Sequence, residues 1–328
     1  MVDRSSIAAS TLTATLLLTV AGAQAQRVEQ DIKVHSCPAI AETPTFEQVQ
    51  AGMRTARNRG FLWRISKDGR DSYLYGTLHV AKHEWMYPGE TMLRALKASD
   101  RVALELDLLD TDVAQRLNKA MVASGNDTAL PEPLAARMRV EAERACFPLA
   151  ALNTMIPEMQ ITTLEFLASR ADGIYLDYGS ELFLSGLARG LHKPVVSLET
   201  PELQMRAIRI ENQQDRIAIV EKWLGKLESN RTRALQLRMS EMWADSRVDE
   251  LRRFMEWCEC AETEGERRYW RRLLDDRNPA LAANILSILD SGQTVFAAVG
   301  SLHMIGTTGL PTLLTQRGYK VEFVASSP

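Results

Sequence analysis

The sequence lacks the features that identify several common functional classes. It has no excess of basic charge, because 39 lysine and arginine residues are matched by 42 aspartate and glutamate residues, for a formal net charge of -3. Nucleic acid and other polyanions are therefore not expected partners. The sequence also contains no Gly-x-Gly-x-x-Gly, P-loop, Gly-x-Ser-x-Gly or His-Glu-x-x-His motif. The sequence therefore gives no motif support for nucleotide binding, for serine-hydrolase chemistry or for a helical zinc-protease site.

Long apolar runs are scarce, and the most prominent one stands near the N-terminus. It extends from Ile7 to Ala21, follows Arg4 and precedes the small-x-small sequence Ala23-Gln24-Ala25. This pattern predicts a signal peptide over residues 1–25 and a periplasmic or secreted mature protein. The run is shorter than the roughly 20 residues that cross a bilayer as a helix. We therefore expect no transmembrane domain after cleavage, with an uncleaved anchor as the alternative.

Cysteine is also scarce, with only four residues: Cys37, Cys146, Cys258 and Cys260. In an oxidising compartment they could form disulfides. Pairing Cys37 with Cys146 and Cys258 with Cys260 is one of three possible arrangements, and free buried thiols are the alternative. A structural zinc site is not expected, because no second pair of zinc ligands stands at a zinc-finger spacing.

Short apolar strand patterns at both ends of the chain predict an α/β fold with a mixed central sheet. Strand patterns end twice in a Gly-x-Leu-His sequence, at Gly76-Thr77-Leu78-His79 and at Gly300-Ser301-Leu302-His303. Each is followed by a loop, a helical pattern and a further strand, so we expect two βαβ-like halves of a single domain over residues 26–328. The predicted strands are residues 61–66, 73–75, 101–106, 194–198, 294–299 and 319–324, and the first two form a hairpin that turns at Asp68-Gly69.

A long helical insert is expected between the two halves, over about residues 201–287. No proline occurs between Pro201 and Pro279, and apolar residues recur there at intervals of three and four, as on one face of a helix. A helical hairpin or small bundle packed on the sheet is the favoured interpretation. An exposed apolar groove formed by Trp223, Trp243 and Trp257 would instead indicate a binding surface.

Two histidines and two glutamates are the candidate reactive residues. His79 and His303 each stand three residues after a glycine that lets the chain turn tightly as it leaves a strand. Glu105 and Glu199 stand at the ends of two other predicted strands. Side chains beyond the carboxyl ends of neighbouring parallel strands converge on one crevice. Two imidazoles and a carboxylate are a common ligand set for a catalytic divalent metal that activates a water molecule.

Other roles are open for these residues. One histidine could act as a general base without a metal, or the two histidines could bind haem or iron. Glu199 could cap the helix that begins at Pro201, and Arg277 could reach an anionic ligand.

Six segments, spread over nearly all of the expected mature chain, carry a resemblance to a known family. They are Tyr75-Gly-Thr-Leu-His-Val, Leu104-Glu-Leu-Asp, Lys193-Pro-Val-Val-Ser-Leu-Glu-Thr, Asp276-Arg-Asn-Pro, Ala298-Val-Gly-Ser-Leu-His-Met and Gly309-Leu-Pro-Thr-Leu-Leu. These segments resemble the TraB/PrgY/GumN family. This family is similar to the animal Tiki proteins, which are divalent-metal-dependent (manganese or cobalt) proteases with paired Gly-x-x-His motifs and an essential glutamate.

The resemblance implies a function and roles for particular residues. It favours a periplasmic or secreted divalent-metal-dependent hydrolase of the peptidase type, acting on a peptide or a small molecule. A non-catalytic envelope or polysaccharide-associated binding protein is the alternative. The implied residues are His79, His303 and Glu105 as metal ligands and catalytic groups, Gly76 and Gly300 at the turns, and Glu199 and Arg277 in support.

Overall fold

The computed structural model describes residues 37–124 and 129–324. The chain divides into residues 1–37 and residues 38–328, and every element described below belongs to the second unit. The predicted signal peptide, residues 1–25, lies outside the described residues and stays a prediction. Over the ranges described, no helix has both the length and the apolar character needed to cross a bilayer.

A six-stranded mixed sheet forms the centre of the described part of the chain, as the sequence predicts. Across the sheet the order is β4-β3-β5-β2-β1-β6; β1 is antiparallel to β2 and β6, and the other neighbours are parallel. β3 is shorter than predicted, so Glu105 lies just beyond the strand. The strands are β1 (Phe61–Lys67), β2 (Arg70–Thr77), β3 (Arg101–Leu104), β4 (Val195–Ser197), β5 (Val295–Gly300) and β6 (Lys320–Val324).

Helices connect the strands, and the regular secondary structure between β4 and β5 consists of helices. The helices are α1 (Phe46–Arg54), α2 (Glu90–Ala98), α3 (Thr111–Met121), α4 (Glu132–Arg144), α5 (Leu149–Leu152), α6 (Pro157–Ala168), α7 (Ser180–Gly190), α8 (Pro201–Ile208), α9 (Gln213–Glu228), α10 (Arg231–Ala244), α11 (Val248–Arg252), α12 (Phe254–Trp257), α13 (Glu264–Trp270), α14 (Asn278–Asp290) and α15 (Leu310–Gln316).

The β1–β2 hairpin turns at Asp68-Gly69, as predicted. Both residues have positive φ angles, 51° and 76°, which a two-residue type I′ turn requires and which Asp-Gly favours. The turn places Lys67 opposite Arg70 and, at the far end of the hairpin, Phe61 opposite Gly76. The register of the strand that leads to His79 is therefore set by local turn chemistry.

Trp243 packs helix α10 against the sheet. Its side chain is buried, its indole N–H donates to the carbonyl of Gly76 at 2.8 Å, and its ring packs edge-on against Tyr75. A second apolar cluster, which includes Ile161 of α6 and Leu224 of α9, packs helices of the insert against the helices that precede β4. The insert is thus held over the edge of the sheet where β2 ends.

All four cysteines lie within the described residues and are disulfide-bonded. Cys258 pairs with Cys260, which confirms that predicted pair, and Cys37 and Cys146 are likewise disulfide-bonded. The alternative of free buried thiols is wrong.

Candidate functional site

The carboxyl ends of three adjacent parallel strands bring the predicted reactive residues together. His79 follows β2, Glu105 follows β3, and His303 lies in the short 3-10 helix Ser301–Met304 that follows β5. Because β5 lies between β3 and β2 in the sheet, the three side chains stand at one edge. The convergence expected from the strand ends is therefore present.

Glu105 is buried, and both of its carboxylate oxygens have donors. Oε1 accepts the backbone N–H of Gly300 at 2.5 Å, and Oε2 accepts from Nη2 of Arg277 at 2.8 Å and from Nε2 of Gln204 at 3.2 Å. A Cβ at position 300 would lie 3.0 Å from Oε1. The glycine at that position thus allows the main chain to approach the carboxylate closely.

Arg277 binds two carboxylates of the protein. It donates to Glu105 and, through Nε and Nη2, to Glu199. The guanidinium therefore binds carboxylates of the protein itself, and not the anionic ligand that the sequence suggested. Glu199 does not cap helix α8, because the hydroxyl of Thr200 performs that role by accepting from the backbone N–H of Leu203. The capping interpretation of Glu199 is wrong.

Each histidine ring is fixed through its Nδ1 atom. His303 Nδ1 lies 2.5 Å from Oδ1 of Asn278, and His79 Nδ1 lies 3.0 Å from Oε1 of Glu181, an oxygen that also accepts from Thr77 at 2.7 Å. These acceptors place a proton on Nδ1 of each ring. Within residues 37–124 and 129–324, Nε2 of neither ring has a hydrogen-bond partner; His303 Nε2 lies 4.0 Å from Glu105 Oε1.

Sequence reasoning missed Glu181, Asn278 and Gln204. Glu181 lies in the first turn of α7, and Asn278 lies in the first turn of α14, where its side chain binds His303. The Asn278-Pro279 sequence indicates a helix start and gave no signal of a contact with histidine. These residues come from helices whose placement depends on packing over the sheet.

The environments of the two imidazoles shift their pKa values in opposite directions. The carboxylate of Glu181 raises the pKa of His79 above its usual range; more than half of the His79 side chain is exposed, at 55%, so solvent weakens this effect and only its direction is used. Burial lowers the pKa of His303 to about 4, against the attraction of Glu105. At neutral pH His303 is therefore the neutral ring, whereas Glu181 favours the protonated form of His79.

Glu105 is ionised at neutral pH. Burial by itself raises the pKa of this carboxyl, but the cation of Arg277 and the hydrogen bond from Gly300 outweigh it and hold the pKa below its usual range. A neutral His303 contributes little to this balance. Arg277, which is cationic throughout, is therefore the group that keeps Glu105 charged, together with the N–H of Gly300.

The donor types fit a divalent metal, although no closed metal cluster is formed. Metal-binding histidines usually have their second ring nitrogen bound to a carboxylate or another oxygen, as both rings do here. However, in the two described stretches no group of three His, Cys, Asp or Glu side chains is close enough to hold an ion. The metal stays a prediction, with Nε2 of the two rings and Oε1 of Glu105 as its available donors.

A cavity of about 830 Å³ opens on these residues. Its wall includes His79, Glu105 and His303, and apolar side chains of the helical insert complete it. This volume lies within the range of small-molecule pockets. Trp223 lines the cavity, whereas Trp243 is buried in the core, so the exposed tryptophan groove considered from the sequence does not form.

Comparisons with known proteins agree with the resemblance seen in the motifs. The model of the TraB/PrgY/gumN family matches residues 61–323, a range that contains all three converging residues. The uncharacterized protein YbaP of Shigella flexneri is 26% identical over 246 residues, which cover 75% of this chain and 88% of YbaP. No solved structure matches the chain.

Proposed function

The chain belongs to the TraB/PrgY/gumN family, and from that premise we propose that it is a divalent-metal-dependent hydrolase of the periplasm or cell exterior that acts on peptide bonds. The observation that supports this proposal is the meeting of His79, Glu105 and His303 at the wall of a cavity, with both rings fixed through Nδ1. The similarity to the Tiki proteases that the sequence motifs imply favours a peptide substrate.

The residues have distinct roles in this proposal. A divalent metal bound there would supply a water molecule of lowered pKa as the nucleophile. Glu181 and Asn278 bind the Nδ1 atoms, which leaves Nε2 of each ring for the metal. At His79 the metal would have to displace a proton from Nε2, because Glu181 favours the protonated ring. Glu105 is a ligand or a source of negative charge rather than a proton acceptor, because Arg277 and the N–H of Gly300 lower its pKa and make it a weak base.

A metal-free mechanism is the second candidate, and one observation favours it. The environments of His79 and His303 push their pKa values in opposite directions, which is the arrangement found in acid–base pairs. In that mechanism His303 would accept a proton from water at Nε2 and His79 would donate one to the leaving group. Metal dependence of the rate separates the two mechanisms.

The test is hydrolysis of a peptide library, followed by mass spectrometry, with protein that has been loaded with manganese, cobalt or zinc. We expect cleavage by the wild type and a loss of at least about 100-fold in His79→Ala and His303→Ala, as expected when a catalytic group is removed. His192→Ala, at an exposed histidine, is the matched control. Unchanged cleavage in both site variants would overturn the assignment of these residues.

The size of the cavity also favours a non-catalytic binding protein as an alternative. Mostly apolar pockets of this size enclose most of a small ligand. In that case no library peptide would be cleaved by any metal-loaded form, while ligands would still bind inside the cavity.

A further inference from the structure

Helix α10 carries a row of three polar side chains that line the cavity. Thr232, Gln236 and Ser240 are spaced four residues apart, so they lie on one face of the helix. Thr232 Oγ1, Gln236 Oε1 and Ser240 Oγ are buried and have no hydrogen-bond partner within the described ranges. Buried polar atoms are rarely left without a partner, so three in succession on one helix face require an explanation.

We propose that this polar row is a binding subsite for the main chain of an extended, uncharged peptide with apolar side chains. The proposal rests on the proposed function and deepens it, since it describes how substrate is held away from the reacting residues. Thr232 and Ser240 can each donate or accept a hydrogen bond, and Gln236 Oε1 accepts one. Together they can pair with successive N–H and C=O groups of a bound chain.

The spacing of the row matches an extended peptide. Residues four apart on a helix are about 6 Å apart along its axis, so the three side chains span about 12 Å. An extended chain repeats every two residues, at about 6.6–6.8 Å. Groups on one side of the peptide therefore meet successive members of the row in nearly the same register.

Apolar residues flank the row and continue toward the reacting histidine. Leu235 and Met239 lie on the same helix and line the same cavity. Both pack against the cluster of Phe254, Cys258 and Cys260, as does Leu302, the residue before His303. A chain that lies along the row would thus place its apolar side chains on this surface and extend toward the histidines.

Two ionisable side chains lie at this end of the cavity, and neither is available to pair with a charged ligand: Lys226 is hydrogen-bonded within the protein, and Glu165 is mainly uncharged. This favours an uncharged ligand. The ammonium of Lys226 donates to the carbonyl of Glu259 at 2.5 Å. Burial raises the pKa of Glu165 to about 8, although the ammonium of Lys226 opposes that rise. Thr232 lies near Glu165 but has no hydrogen bond of good geometry to it. The Glu165 carboxyl is therefore mainly protonated at neutral pH.

A peptide fits this surface better than the other chain-like ligands. A lipid chain offers nothing to bind the polar row, and a glycan would bring many hydroxyl groups against a wall that is mainly apolar. An uncharged peptide with apolar side chains has both a regular series of polar groups and an apolar surface.

The test is binding of a blocked hexapeptide of alanine, leucine and serine to the full chain without added metal, by titration calorimetry. The comparison ligands are the same peptide with alternate amides N-methylated, maltohexaose and decanoate. The variant Thr232→Val/Gln236→Leu/Ser240→Ala removes the polar atoms and keeps similar shapes. Gln214→Leu, at an exposed position at the start of α9, is the matched control.

We expect the variant and the N-methylated peptide each to weaken binding about tenfold or more, and the control to bind as the wild type does. Equal peptide affinity in wild type and variant would overturn the proposal and would mean that the row binds only buried water. Tighter, row-dependent binding of maltohexaose or decanoate would also overturn it. Row-dependent peptide binding without hydrolysis would support the subsite and refute only the proposed function.

Discussion

Replacing Gly300 with alanine tests whether the main chain sets the position of Glu105. The backbone of Gly300 has φ -46° and ψ 137°, close to the extended region and far from the left-handed conformation that favours glycine, so we expect the fold to tolerate the change. The added Cβ, however, would lie 3.0 Å from Glu105 Oε1 and 3.6 Å from Cδ2 of His303. The carboxylate has to move by a few tenths of an ångström, and its 2.5 Å hydrogen bond to the N–H of residue 300 lengthens.

The expected magnitude follows from this small displacement. A shift of about 1 Å in a reacting group costs about 100-fold in rate, so about a third of an ångström corresponds to roughly fivefold in kcat/KM and a similar weakening of metal affinity. The free energy of unfolding should change by less than about 1 kcal/mol, because the lower entropy of the unfolded chain offsets the close contact.

Gly225→Ala is the control for this experiment. Gly225 lies inside α9 and an added Cβ meets no atom within 4 Å, so we expect a gain of about 0.5–1 kcal/mol in stability and unchanged activity. Peptide cleavage, metal titration and urea unfolding are measured for both variants. Activity and metal affinity of Gly300→Ala equal to those of the wild type would refute the argument that this glycine is required by Glu105.

Three further outcomes are expected. Arg277→Met leaves Glu105 and Glu199 buried without their cation and should lower the free energy of unfolding by about 3–5 kcal/mol; a loss under 1 kcal/mol in urea unfolding would contradict this. The pKa of His303 is lowered to about 4 in the folded protein, so below about pH 6.5 the unfolded chain binds more protons than the folded one. Up to about 3 kcal/mol of the free energy of unfolding should therefore be lost as the pH falls from about 6.5 to 4. The variant His303→Gln should lack this part of the pH dependence. Trp243→Phe loses the hydrogen bond to Gly76 and should cost about 1–3 kcal/mol, with faster hydrogen exchange in α10 as its signature; unchanged exchange would argue against the anchoring role of this indole.

The strand ends could be predicted from the sequence because their geometry is local. A glycine at or next to the end of a parallel strand and a histidine three residues later place the side chain at the sheet edge, which is why His79 and His303 could be predicted. Asp68-Gly69 likewise specifies its own turn. Glu105 was found by the same argument, although it lies one residue past β3.

The supporting residues could not be predicted, because their helices are placed by tertiary packing. Glu181 reaches His79 only because α7 packs beside β3 and β4, and nothing in its own segment indicates that contact. The polar row of α10 did leave a signal in the sequence, since Thr232, Gln236 and Ser240 recur at a four-residue interval between apolar residues. That interval alone does not tell whether the face is solvated or directed into a cavity.

The most direct test of the central claim is cobalt titration of the purified protein, followed by visible absorbance, for the wild type, His79→Ala, His303→Ala and His192→Ala. We expect about one equivalent to bind to the wild type and to His192→Ala with a spectrum typical of nitrogen and oxygen ligands. Both site variants should lose that spectrum while remaining folded. A wild type that binds no cobalt, or site variants that keep the spectrum, would contradict the proposal that the two strand-end histidines form one metal centre.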